Sequence, residues 1–169
     1  MNTYRASVTV RLKIPDPEAV TVGNTVRRMG YPVEDVRLST RYDISVDCGS
    51  RQEFEQFLDS AASELVNPNK HFGSTRVGRR KRELGEPERF DRTGYPTRVA
   101  VTVDGDPEGS RVESVLRDRY GYATARVSSE RLWDLRIDSE NPASVAAELA
   151  GEPTYFLANP AFQKARIEG

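Results

Sequence analysis

The sequence predicts an α+β chain of two tandem β-α-β-β-α-β modules whose antiparallel sheets pack as a pseudo-dimer. Three observations carry this. An alternating, strand-like opening occurs twice, at residues 4–13 and at 97–103. An Asp-Pro-Glu triplet follows each opening, at Asp16-Pro17-Glu18 and 90 residues later at Asp106-Pro107-Glu108. A Gly-Tyr stop, alternating strands and an Asn-Pro turn then recur in the same order. The modules span residues 2–77 and 96–169, joined by a linker over 78–95. Seventy-odd residues make a marginal core alone, which favours packing of the two sheets.

Each element has its own reason. Asp caps a helix, Pro fits its first position, and an early Glu suits its positive end, so both triplets start helices. Ala19, Val22, Val26 and Met29 give the first helix one apolar stripe; Gly109, Val112, Leu116 and either Arg119 or Tyr120 are the counterparts. Gly30-Tyr31 and Gly121-Tyr122 end these helices, with one residue inserted in the second copy. Val36-Arg37-Leu38 then leads to a second strand, Tyr42 to Asp47, and Ala125-Arg126-Val127 leads to Leu132 to Asp138. In these strands Tyr42, Ile44 and Val46, and likewise Trp133, Leu135 and Ile137, alternate with polar residues and predict a buried face. Ser50 with Glu53 forms a capping box ahead of Phe54, Phe57, Leu58, Ala61, Ala62 and Leu65. Asn141-Pro142 starts the matching helix, which Gly151 and Pro153 shorten. Asn67-Pro68 and Asn159-Pro160 stop the second helices, and Thr75-Arg76-Val77 and Ala165-Arg166-Ile167 form the last strands.

Composition narrows the function. With 25 basic and 26 acidic residues the net charge is −1, which weighs against a nucleic-acid binder. No apolar run nears the roughly 20 residues that span a bilayer. Arg5, Arg11, Lys13, Asp16 and Glu18 exclude an apolar leader among the first residues, so the cytoplasm is the expected location. A single cysteine, Cys48, leaves no internal disulfide. The basic run at residues 79–82 is followed at once by Glu83 and reads as an exposed, mixed-charge tether.

No catalytic constellation emerges. Cys48 and His71 would have to meet within about 3 Å, with a third orienting group, to act as a nucleophile and base. Cys48 lies between a strand and a helix cap, and His71 in a short connection; both read as structural. One His and one Cys do not make a zinc set, and no Gly-rich loop ending in Lys-Ser or Lys-Thr cradles phosphate. Asp43 with Asp47, and Asp134 with Asp138, share strand faces and read as solvated polar positions.

The repeated Gly-Tyr, Val-Arg, aromatic-rich strand and Asn-Pro signals resemble the PurS family, the small noncatalytic subunit of multisubunit phosphoribosylformylglycinamidine synthase. Gly30-Tyr31-Pro32-Val33-Glu34-Asp35-Val36-Arg37 looks like the family's segment between first helix and second strand. Leu157-Ala158-Asn159-Pro160, followed by Arg166-Ile167-Glu168, looks like its carboxyl ending. The family's Gly-Lys pair is replaced by Thr40-Arg41 and Ser129-Glu130. The resemblance implies two fused modules of ferredoxin-like order. It also implies an assembly role beside a synthetase and a glutaminase, which convert formylglycinamide ribonucleotide to formylglycinamidine ribonucleotide. ATP, Mg and glutamine would then serve those partners, with no cofactor on this chain, and self-association of the fused pair stays open. It makes Arg37, Arg41, Arg126, Tyr31, Tyr122, Asn67 and Asn159 candidates for partner contact. The alternative is a ferredoxin-like module that binds RNA or a small anion.

Overall fold

The computed structural model describes residues 1–88, 92–151 and 154–168. The first half runs β1 (Asn2–Leu12), α1 (Pro17–Arg28), β2 (Val33–Cys48), α2 (Arg51–Leu65), β3 (His71–Val77) and β4 (Arg80–Leu84). After a 3-10 turn (Arg92–Gly94), the second half runs β5 (Thr97–Val103), α3 (Pro107–Ser114), a π turn (Val115–Arg119), β6 (Arg126–Ile137), α4 (Pro142–Ala150) and β7 (Gln163–Glu168).

The helix starts follow the capping chemistry. Asp16 Oδ1 accepts from the Glu18 and Ala19 N–H groups at 2.9 and 3.4 Å. Ser50 Oγ accepts from Glu53 N–H, while Glu53 Oε2 accepts from Gly49 N–H at 2.7 Å. Asp106 caps α3 from the left-handed region, at φ 42°, and folds its carboxylate back. That carboxylate accepts from Gly109 N–H at 3.0 Å and from both N–H and Oγ–H of Ser129, at 2.7 and 2.5 Å. A Cβ on Gly109 would lie 2.2 Å from Asp106 Oδ2, so a side chain there would push the capping carboxylate out of place. The residue inserted between Asp106 and Gly121 is taken up by the π turn, where Tyr120 N–H reaches Val115 O, five residues back.

Two compact units result, and neither is a continuous stretch. The first comprises residues 1–13, 40–88 and 105–129; the second comprises 14–39, 89–104 and 130–169. In the first, the antiparallel order is β4-β3-β1-β2. Its core joins Val8, Tyr42, Ile44, Phe54 and Phe57 to Val112 and Leu116. In the second, the antiparallel order is β6-β5-β7. Its core joins Val99, Val101, Trp133, Leu135 and Leu149 to Ala19 and Val26. Thus α1 follows β1 along the chain but is buried with β5 and β6, and α3 follows β5 but is buried with β1 and β2. The two helices are exchanged.

Four sequence expectations are corrected. The strand pairs expected within each half are single long strands, β2 of 16 residues and β6 of 12. Neither Leu38-Ser39-Thr40-Arg41 nor Ser128-Ser129-Glu130-Arg131 contains a Gly, Pro or Asn to turn the chain, so each half is β-α-β-α-β, with β4 added to the first. The tether expected over 78–95 contains β4, joined to β3 by a two-residue turn with Gly78 at φ 59°. Its charges suit an edge strand. Met29 leaves the core stripe; it follows α1 as its C-cap and is 58 % exposed. Strand register pairs Val8 with Tyr42 and Thr75, and Val101 with Arg131 and Ala165, so Tyr42 corresponds to Arg131 rather than to Trp133. Pro153 and Gly169 lie outside the described residues.

Burial of Val112 and Leu116 is worth about 1.5–3 kcal/mol each. A fragment 1–88 lacks that cover, and a fragment 92–169 lacks α1. Neither fragment should unfold cooperatively as a monomer, whereas a 1:1 mixture should regain a cooperative melt, read by light scattering and thermal denaturation. A monomeric, cooperative fragment 1–88 would refute the exchange.

Candidate functional site: the open faces of the two sheets

Alternation leaves one face of each sheet free of helix-directed side chains. On that face the register places corresponding residues in the two units. Arg5 lies opposite Ser45, and Arg98 lies opposite Asp134 and Glu168. Arg76 lies opposite Ser7, and Arg166 opposite Ala100. Counted along the same strands from Tyr42 and Arg131, Arg37 matches Arg126 and Arg41 matches Glu130. Counted from Thr75 and Ala165, Gly78 matches Glu168. Each face thus carries three arginines at equivalent places: Arg98, Arg37 and Arg166 in the second unit, and Arg5, Arg126 and Arg76 in the first.

In the second unit carboxylates hold all three. Arg98 Nε donates to Asp134 Oδ1 at 2.6 Å and Nη2 to Oδ2 at 3.0 Å. Arg37 Nη2 approaches Asp134 Oδ2 at 3.5 Å, and its guanidinium lies 4.2 Å from the centroid of the Tyr95 ring. The Tyr95 hydroxyl donates to Asp35 Oδ2. Burial first, then Asp35, raises the Tyr95 pKa and keeps it a donor. Asp134 is 2 % exposed and Arg37 9 %, so this pairing is sealed from water. Arg166 is clamped between Glu130 at 2.9 Å and Glu168 at 2.6 Å, which raise its pKa further.

The first unit has lost all three carboxylate positions: Ser45 stands for Asp134, Arg41 for Glu130 and Gly78 for Glu168. Arg5, Arg76 and Arg126 are exposed and line a cleft of about 630 Å³ with Ser7, Ser45 and Ser128. Among the described residues none of these three guanidiniums makes a hydrogen bond or ion pair. Two carboxylates also border the cleft. Glu113 is held by Arg117 at 3.1 Å and accepts from Val127 N–H, and Asp43 has a partner of its own.

The remaining candidates are dispersed. Tyr31 ends α1 half-buried, its hydroxyl donating to Glu148 at 3.1 Å. Tyr122 packs edge-on to Phe57 at 4.9 Å, beside Ser60. Arg41 is half-buried on β2. Asn67 and Asn159 are exposed and build the same turn. The Asn67 carbonyl accepts from Lys70 and His71 N–H, and the Asn159 carbonyl from Phe162 and Gln163 N–H. Asn67 N–H donates to His71 Nδ1 at 3.0 Å, where Asn159 N–H donates to Gln163 Oε1 at 2.7 Å. Cys48 is buried opposite Asn2 and His71 lies opposite Leu12, at the two ends of β1, about 30 Å apart by strand rise. Burial, then Glu53 and Asp47, pushes the Cys48 thiol pKa up. Asp134, expected at a solvated position, is instead buried, and register matches it to Ser45 rather than to Asp43. Among the described residues no group of three or more His, Cys, Asp or Glu could hold a metal ion. The arginine faces escaped the sequence reading, although each pair could be found by aligning the halves strand by strand.

Two outcomes are expected. Asp134→Ala leaves buried Arg37 and half-buried Arg98 beside a missing charge and should cost about 3–5 kcal/mol in denaturant unfolding. At the Asn67 turn, burial and Lys70 lower the His71 pKa below its ordinary value. The neutral ring's contribution is therefore present above about pH 6.5 and is lost as pH falls through the folded-state pKa. His71→Gln should remove that acid sensitivity without loss at neutral pH, since Gln163 fills the same place. His71→Ala should cost about 0.5–1.5 kcal/mol, both read from unfolding curves across pH.

No curated protein matches the chain. One protein family does: residues 4–77, from β1 to the end of β3, match the family described as PurS, phosphoribosylformylglycinamidine (FGAM) synthase. The chain therefore carries one PurS-like module, in an α+β fold.

Proposed function

We propose that the chain is a tandem PurS-like pair and the noncatalytic assembly subunit of a glutamine-dependent synthase. That synthase converts formylglycinamide ribonucleotide to formylglycinamidine ribonucleotide in purine biosynthesis, and this chain bridges its synthetase and glutaminase in the cytoplasm. The match over residues 4–77 carries the reading. The recurrence of strand register and Asn turn in the second half supports extending it to residues 96–169. ATP, Mg and glutamine act on the partner enzymes. Among the described residues no helix is long and apolar enough to cross a membrane.

Partner contact falls to exposed Asn67 and Asn159, to half-buried Tyr31, Tyr122 and Arg41, and to exposed Arg126. Arg37, sealed against Asp134 and Tyr95, contributes by holding its sheet face rigid.

Reconstitution tests this. Chain, synthetase and glutaminase should copurify, and omission of the chain should abolish glutamine-dependent turnover while the synthetase still uses added ammonia. Full assembly and glutamine-dependent turnover without the chain would overturn the proposal.

A further inference from the structure

From the comparison of the two sheet faces we infer that the first unit's cleft is a binding site for a small molecule carrying a phosphate group. The second unit shows what three arginines at these positions require. Each is neutralised by a carboxylate, Asp134 holding Arg98 and Arg37, with Glu130 and Glu168 holding Arg166. In the first unit Arg5, Arg126 and Arg76 keep their places while Ser45, Arg41 and Gly78 replace every one of those carboxylates. The three arginines are retained without those carboxylates, and the acidic groups that do line the cleft, Asp43 and Glu113, each have a partner of their own.

The local chemistry selects the ligand class. Guanidinium groups present planar forks of N–H donors that match the oxygens of phosphate. Arg5 on β1 and Arg76 on β3 lie on adjacent strands, two residues apart in register, so their guanidiniums reach a common point. Ser7 and Ser45 supply hydroxyl donors on the sheet between and beside them. Asp43, on the sheet opposite Ser7, and Glu113 do not fill the role, since Glu113 is engaged by Arg117 and Val127, and Asp43 is also partnered. A volume of about 630 Å³ falls within the range of small-ligand pockets. The cleft is open to solvent, so a soluble phosphate-bearing molecule can reach the guanidiniums directly. Nothing in this reading depends on the assembly role.

The test uses the full chain alone. Arginine Nε–Hε NMR signals are followed during titration with inorganic phosphate and, separately, with adenosine monophosphate, against chloride at matched ionic strength. Saturable shifts are expected at Arg5, Arg76 and Arg126, with Arg98 and Arg166 unmoved. Tighter binding of the nucleotide identifies an organic phosphate as the ligand; equal affinity identifies the free ion, and both support the site. Ser45→Asp rebuilds the second unit's arrangement and should weaken binding about tenfold or more; Arg5→Gln should do the same. Unfolding curves confirm that each variant is folded, and either variant alone suffices. Absence of a saturable shift with both probes, shifts reproduced by chloride, or undiminished affinity in both variants would overturn the inference. Binding of a single-stranded RNA with no response to either phosphate probe would overturn it too. Each of these results leaves the reconstitution outcome untouched.

Discussion

The burial of each half's first helix in the core built by the other half's strands is the constraint on which the fold depends. Val26 has no core without Val99, Val101 and Trp133, and Leu116 has none without Ile44 and Phe57. Apolar burial is non-directional, so the hydrophobic effect alone does not choose between a helix folding back on its own strands and crossing over. Chain connectivity resolves the choice. β2 and β6 run through without a turn, so each strand feeds one core at its beginning and the other at its end.

What could be read beforehand divides along the same line. Local signals were legible: the Asp-Pro-Glu starts, the Ser50–Glu53 cap, the Gly-Tyr stops and the paired Asn-Pro turns each act through residues a few positions apart. The inserted residue in the second copy was visible as a shift in spacing, although its form, a π turn, was not. Periodicity shows that Val112 and Leu116 must be buried but not by what, which is why the exchange was invisible. Strand β4 has a single apolar residue, Leu84, among four charged ones, so no alternation marked it. The Arg98–Asp134 pairing needed cross-strand register, and sequence spacing misjudged that register by two residues.

The two sheet faces use corresponding strand positions differently. In the second unit, Asp134 is held by Arg98 and Arg37, Tyr95 lies against Arg37, and Asp134 is buried. In the first, the corresponding positions leave guanidiniums facing water beside Ser7, Ser45 and Asp43. Corresponding strand positions thus carry a largely buried ion cluster in one unit and an open, arginine-lined hollow in the other.

The helix exchange also sets a rule of parity. A chain with one such β-α-β-α-β repeat would have a helix in search of a socket and a socket in search of a helix, and would need a second copy of itself to fill both. Two such halves in one polypeptide close the circuit. A third unit of the same connectivity would reopen it, so growth by single units is self-limiting.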